Sequence, residues 1–65
     1  MGQRKIILTK KEFVIQETPV SGEERLMVRH RASKIQSYGL DFNGAMSKVL
    51  DQLAGYYKCK VIYRE

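Results

Sequence analysis

The sequence predicts an α+β domain in which one amphipathic helix covers one face of a small antiparallel sheet. A helical repeat of apolar residues occurs between residues 42 and 57, and short strand-like segments lie before and after it. The chain has 65 residues, which is enough for one domain spanning 1–65. A single helix on a single sheet is a two-layer architecture. The predicted order is strand, strand, strand, helix, strand, with or without one additional short strand.

The first two predicted strands cover residues 4–8 and 12–18. The first has β-branched residues at its centre, and residues 9–11 connect it to the second. The second has a continuous apolar centre, so alternation does not assign its inward face. Residues 19–24 contain Pro, Ser, Gly and two acids, which is typical of a loop. We therefore expect an antiparallel hairpin between the second and third strands.

The third predicted strand, residues 25–31, alternates between two kinds of side chain. Leu26, Val28 and His30 fall on one side, while a basic row of Arg25, Arg29 and Arg31 falls on the other with Met27. Side chains two apart on a strand lie roughly 6.5–7 Å apart, so the arginines form a row of cations. We expect Leu26 and Val28 to face the helix and the arginines to face away from it.

Residues 32–40 are predicted to be extended or a further short strand, with a break at Tyr38-Gly39. Asp41 is a predicted helix N-cap, because its carboxylate can accept hydrogen bonds from free backbone N–H groups of the first turn. Gly55 is interpreted as a site of close packing or of fraying in the last turn. Residues 59–64 return to a period of two and predict a closing strand. The apolar stripe of the helix consists of Phe42, Met46, Val49, Leu50, Leu53 and Tyr57.

A chain this short buries a small core, and small domains usually gain stability from disulfides, a metal or a second subunit. Cys59 is the single cysteine, and with one histidine it cannot complete a four-ligand metal site. We therefore expect a homodimer, in which Tyr56 is exposed or lies in the interface. No signal peptide or transmembrane segment is predicted, so we expect a cytoplasmic protein that does not bind membranes.

Charge is segregated along the chain, which has a net charge of +5. Residues 1–11 carry four basic residues and no acid, and residues 12–24 carry four acids and no basic residue. Residues 25–34 again carry four basic residues without an acid. Such blocks favour a polarised surface over an evenly solvated one.

Catalysis is not predicted. A Cys–His pair requires Cys59 and His30 to meet with a third orienting group, whereas a small core cysteine and a strand-end histidine are the simpler interpretation. The glycines match no phosphate-binding loop, and the adjacent acids Glu23 and Glu24 fall in a loop. We expect no enzyme activity, no cofactor and no metal.

The sequence instead favours a small basic protein that binds nucleic acid through an Arg/Lys-rich sheet face with weak sequence selectivity. Single-stranded and duplex ligands both stay open. This interpretation supposes that the basic residues of the closing strand lie on the same uncovered face as the arginine row. The alternative is a regulatory or inhibitor protein whose arginines bind an acidic protein partner. The predicted nucleic-acid-binding residues are Arg25, Arg29, Arg31, Lys34, Tyr38, Lys60 and Arg64.

Overall fold

The computed structural model describes residues 4–19 and 22–65, and within them the chain forms five strands and one helix. The strands are β1 (Lys5–Leu8), β2 (Phe13–Glu17), β3 (Leu26–His30), β4 (Gln36–Gly39) and β5 (Lys60–Tyr63). The helix, α1, spans Phe42–Tyr57. Short 3-10 segments at Lys10–Glu12 and Gly22–Glu24 precede β2 and β3.

The described strands form two separate sheets. β2, β3 and β4 make an antiparallel sheet with β3 in the centre, where Val28 is the register partner of both Ile15 and Ser37. β1 and β5 make a two-stranded parallel sheet in which Lys5 lies opposite Lys60. A parallel pair needs a long connection between its strands. The whole antiparallel sheet and α1 together form that connection.

The core lies between α1 and the inward faces of both sheets. The helix packs against β3, β4 and β5. Ala45, Val49 and Leu53 have no exposed surface, and their spacing of four places them on one face of the helix. The other buried apolar residues of this cluster are Leu8, Phe13, Val28 and Met46.

Both ends of α1 are defined by local backbone geometry. At the start, Asp41 Oδ1 accepts a hydrogen bond from the Gly44 N–H at 2.8 Å. At the end, Lys58 adopts the left-handed conformation with φ 57° and donates its N–H to the Ala54 carbonyl. Glycine is preferred at this position, because left-handed backbone costs an L-residue about 1–2 kcal/mol. Among the described residues, Lys34 is the other non-glycine residue with positive φ, at 68°.

The structure confirms the predicted fold class, with one helix on an antiparallel sheet. The additional short strand is β4, and the helix with its Asp41 cap lies where the apolar stripe predicts it. The sequence does not predict that the closing strand pairs with β1 in a second, parallel sheet. Residues 1–3 and residues 20–21 of the predicted hairpin loop lie outside the described residues.

Gly55 is exposed, and a Cβ built there meets no heavy atom within 4 Å. Close packing does not explain this glycine. We predict that Gly55→Ala raises the free energy of unfolding by about 1 kcal/mol, because alanine is the better helix former. Urea denaturation followed by circular dichroism measures the change.

Gly22→Ala is the control for this prediction. Gly22 also has open space around its Cβ position, but its φ is +82°. The same change should therefore destabilise the protein at Gly22, since alanine is strained there. Equal effects of the two variants would contradict the prediction for Gly55.

Candidate nucleic-acid interface

The face of the antiparallel sheet that points away from α1 is termed the open face. The register places Arg29 between Val14 and Gln36 on the neighbouring strands, and Met27 lies next to Tyr38. The face therefore combines a cation, an aromatic ring, amides and apolar groups, and none of its six residues is acidic. These residues are Val14, Gln16, Met27, Arg29, Gln36 and Tyr38.

The packing of β4 on α1 determines where Tyr38 points. Gln52 Nε2 donates a hydrogen bond to Ser37 Oγ, and a Cβ on Gly39 would meet the backbone at the start of α1. Because neighbouring side chains alternate along a strand, Gln36 and Tyr38 lie on the opposite face. Tyr38 is 37% exposed, and its hydroxyl accepts a hydrogen bond from Gln36 Nε2 at 3.1 Å. An aromatic ring thus lies at the surface of the open face with its hydroxyl held by a neighbour.

Two side chains of β3 form the middle of the open face. Met27 is only 8% exposed, although α1 lies on the other side of the sheet, and Arg29 is half-buried. The neighbouring side chains of the same face therefore cover much of both residues. The middle of the open face is a continuous surface and not a set of isolated projecting groups.

Arg25 and Arg31 lie one residue outside each end of β3, and both are exposed. Their backbones continue the ladder with the strand before them. The Thr18 N–H donates to the Arg25 carbonyl at 3.0 Å, and the Arg31 N–H donates to the Glu12 carbonyl at 2.8 Å. The alternation of β3 therefore extends to both residues and places them on the side of Arg29.

The three arginines of the row differ in whether an acidic residue lies opposite them on the neighbouring strand. Among the described residues, Arg25, Arg29 and Arg31 form no ion pair within 4.0 Å. Along the ladder, Arg29 is flanked by uncharged residues and Arg25 faces Thr18. Arg31 is next to an acid, because its ladder partner is Glu12. Of the three arginines, Arg29 has uncharged ladder partners on both neighbouring strands.

The turn after β3 is built on His30, which is 2% exposed. The His30 Nδ1 lies 2.8 Å from Ser33 Oγ and accepts from the Ser33 N–H at 3.3 Å. The rings of Phe13 and Tyr57 pack against the imidazole with centroid distances of 5.4 and 6.2 Å. Lys34 lies in this turn, exposed, with its N–H donated to the His30 carbonyl. The structure thus places Lys34 beyond the end of β3, in the turn that leads to β4.

Lys60 and Arg64 belong to the other sheet. Lys60 begins β5, and Arg64 follows this strand with its N–H donated to the Leu8 carbonyl at 2.8 Å. The sequence-based prediction that Lys60 and Arg64 share one uncovered sheet face with the arginine row is therefore wrong, because β5 pairs with β1 in a separate sheet. The inward residues of β5, Val61 and Tyr63, pack on the core and fix the strand in this second sheet.

The two residues that were considered as a catalytic pair, Cys59 and His30, have different surroundings. The His30 Nδ1 is engaged by Ser33, while the half-buried Cys59 lies just before β5. Within residues 4–19 and 22–65, no three His, Cys, Asp or Glu side chains are grouped as metal ligands. Over the same residues, no helix combines the length and the apolarity that crossing a membrane requires.

The sequence did not identify the two glutamines of the open face. Gln16 belongs to a strand whose apolar centre hides its alternation, and Gln36 belongs to the segment predicted to be extended or a further short strand, without an assigned face. The register with β3 resolves both positions. The small residues Ser37 and Gly39, which alternate with Gln36 and Tyr38, are the signal that could have assigned the inward face of β4.

Comparisons with models of protein families, with curated proteins and with solved structures find no match to this chain.

Proposed function

We propose that the protein binds single-stranded nucleic acid through the open face. Arg25 and Arg29 contact phosphates, and Tyr38 stacks on a base. The observation that carries the proposal is the exposed ring of Tyr38 on the same sheet face as Arg29, where none of the six paired residues of β2, β3 and β4 is acidic.

The chemistry of these side chains fits a nucleic-acid strand. A guanidinium group binds phosphate through a planar fork of donors. An aromatic ring on a sheet stacks on an unpaired base with about 1–3 kcal/mol, and stacking tolerates every base. Because a base inside a duplex is already stacked, the proposed ligand is single-stranded. Gln16 and Gln36 offer donors and acceptors to base edges, although two amides provide little sequence discrimination.

The net charge of +5 adds a long-range attraction to the polyanion. The logarithm of the association constant should therefore fall linearly with the logarithm of the salt concentration. Lys34 lies in the turn after β3, and Lys60 and Arg64 belong to the other sheet, so none of them is part of the proposed contact set. Their role in binding stays a sequence-based prediction, and the proposal includes no catalytic step.

We predict that Arg29→Gln weakens binding of a labelled single-stranded oligonucleotide about tenfold and lowers the salt slope by about one ion. Tyr38→Ala should also weaken binding about tenfold, through loss of stacking. Tyr38→Phe keeps the ring and should stay close to the parent affinity. Fluorescence anisotropy over a salt series, with DNA and RNA in single-stranded and duplex form, measures these effects.

Lys48→Gln is the matched control, because Lys48 is exposed on α1 and its loss changes the net charge by the same amount. An equal loss of affinity in Lys48→Gln and Arg29→Gln would show that net charge alone drives binding, which contradicts the proposed face. Absence of binding at low salt would exclude nucleic acid and favour an acidic protein partner.

We also propose that the protein is a cytoplasmic homodimer. The support is its small core and two large apolar residues at its surface, Leu40 and Tyr56, which are 59% and 60% exposed. A single cysteine is compatible with a reducing compartment. Size-exclusion chromatography with light scattering measures the oligomeric state, and a monomer at the concentrations of the binding assay would contradict the dimer.

A further inference from the structure

A cluster of basic side chains lies where β1 and β5 begin. Because these strands are parallel, their first residues lie at the same end of the sheet, and Lys5 is the register partner of Lys60. Arg4, Lys58 and Lys60 line an open depression of about 250 Å³ together with Cys59. All four basic side chains are exposed. We term Arg4, Lys5, Lys58 and Lys60 the basic end.

The basic end contains two arrangements that are unfavourable for the protein alone. Lys5 and Lys60 lie opposite each other on strands that are about 4.8 Å apart, and like charges in such pairs repel. Lys58 occupies a left-handed position at which glycine is more stable. None of the described residues that line the depression is acidic, so a bound anion would relieve the repulsion.

We propose that the basic end is a binding site for a phosphate group. One guanidinium fork with neighbouring ammonium groups is the usual donor set for phosphate oxygens. The depression is also large enough, since a water molecule takes about 30 Å³ of liquid volume and the depression holds several times that. The phosphate comes from a free ion, a mononucleotide or the end of a nucleic-acid strand. The site lies on the parallel sheet, so the proposal does not depend on binding at the open face.

Lys58 provides the decisive variant, because its two properties predict opposite effects. Lys58→Gly removes a cation from the depression and also removes the left-handed strain. We expect a protein that is thermally more stable than the parent but binds phosphate about tenfold more weakly, since one charge-assisted contact is worth about that factor. A mere loss of folding cannot produce this combination.

Lys34→Gly is the matched control. Lys34 is also a left-handed lysine with an exposed side chain, but it lies in the turn after β3. This variant has the same net charge as Lys58→Gly and the same relief of strain. It should be stabilised similarly and should bind phosphate as the parent does.

The affinity is measured in two ways, with inorganic phosphate added at constant ionic strength against chloride. Ligand that binds the folded state raises the unfolding temperature. Cys59, the single cysteine of the chain, lines the depression and reports its occupancy, since bound phosphate should slow alkylation by the neutral reagent iodoacetamide. Low millimolar phosphate is used, because phosphate at high concentration stabilises proteins without a specific site. No protection of Cys59, or equal phosphate effects in the two glycine variants, would overturn the proposal.

Further arms identify the source of the phosphate. A nucleoside 5′-monophosphate that protects Cys59 more strongly than inorganic phosphate indicates a nucleotide. An oligonucleotide that protects Cys59 only when it carries a 5′-phosphate indicates a strand end. If Arg29→Gln weakens oligonucleotide binding while inorganic phosphate still protects Cys59 as in the parent, the two sites are independent. If Lys58→Gly weakens phosphate binding but leaves the binding of an oligonucleotide without a 5′-phosphate unchanged, the two sites are again shown to be independent.

Discussion

Replacing Gly39 with alanine is expected to lower the free energy of unfolding by about 3 kcal/mol. A Cβ at this position would lie 2.5 Å from the Ala45 backbone nitrogen and 2.9 Å from the Gly44 carbonyl carbon. Both atoms belong to the first turns of α1, so no flexible side chain can move aside. β4 and the helix must separate instead. A domain of this size has only about 3–5 kcal/mol of stability, so the variant should keep about 2 kcal/mol at most and be measurably unfolded at room temperature.

Urea denaturation by circular dichroism and tyrosine fluorescence measures this loss. Gly55→Ala is the matched control, because it makes the same chemical change where the added methyl meets no atom. Opposite signs for the two variants are the expected result. Parent-like stability of Gly39→Ala would show that β4 does not approach α1 as closely as the structure has it.

His30→Ala should also lower the free energy of unfolding by about 3 kcal/mol. The substitution removes a buried ring from between Phe13 and Tyr57. It also deprives Ser33 of its partner at Nδ1. A cavity and unpaired polar groups both contribute to the loss.

Two variants separate these contributions. His30→Phe keeps a ring in the cluster but removes the nitrogen that Ser33 binds. Ser33→Ala removes the hydroxyl only and should cost about 1 kcal/mol. If ring packing dominates, His30→Phe should be clearly more stable than His30→Ala. Denaturation midpoints of His30→Phe and His30→Ala that coincide would assign the loss to the hydrogen bonds instead.

Local features of the fold were predictable because they are encoded within a few residues. The Asp41 cap and the apolar stripe lie within one continuous segment, and the structure contains both. The inward side of β3 was also predictable from strict alternation, and Val28 is fully buried. The burial of Met27 on the opposite face was not predictable, since it depends on side chains from the neighbouring strands.

The candidate site was predictable only in part, because its outlying residues depend on strand pairing between distant segments. The alternation around Arg29 and the neighbouring Tyr38 were visible in the sequence, and the register brings both to one face. Lys60 was placed with them only on the assumption of a single sheet. Its real neighbours, Arg4 and Lys5, are more than fifty residues away along the chain. No local sequence pattern indicates that residues so far apart in the chain lie next to each other.

The pairing of β1 with β5 also sets the order in which the molecule can assemble. Lys5 meets Lys60 across 55 residues, whereas β2 and β3 form a local hairpin. Contacts between distant segments form late in folding. β1 therefore has no pairing strand until β5 has been synthesised. During that time an apolar triplet, residues 6–8, is open to association with other chains. Four positive charges flank it, and such flanking charges act as gatekeepers against aggregation; they are Arg4, Lys5, Lys10 and Lys11.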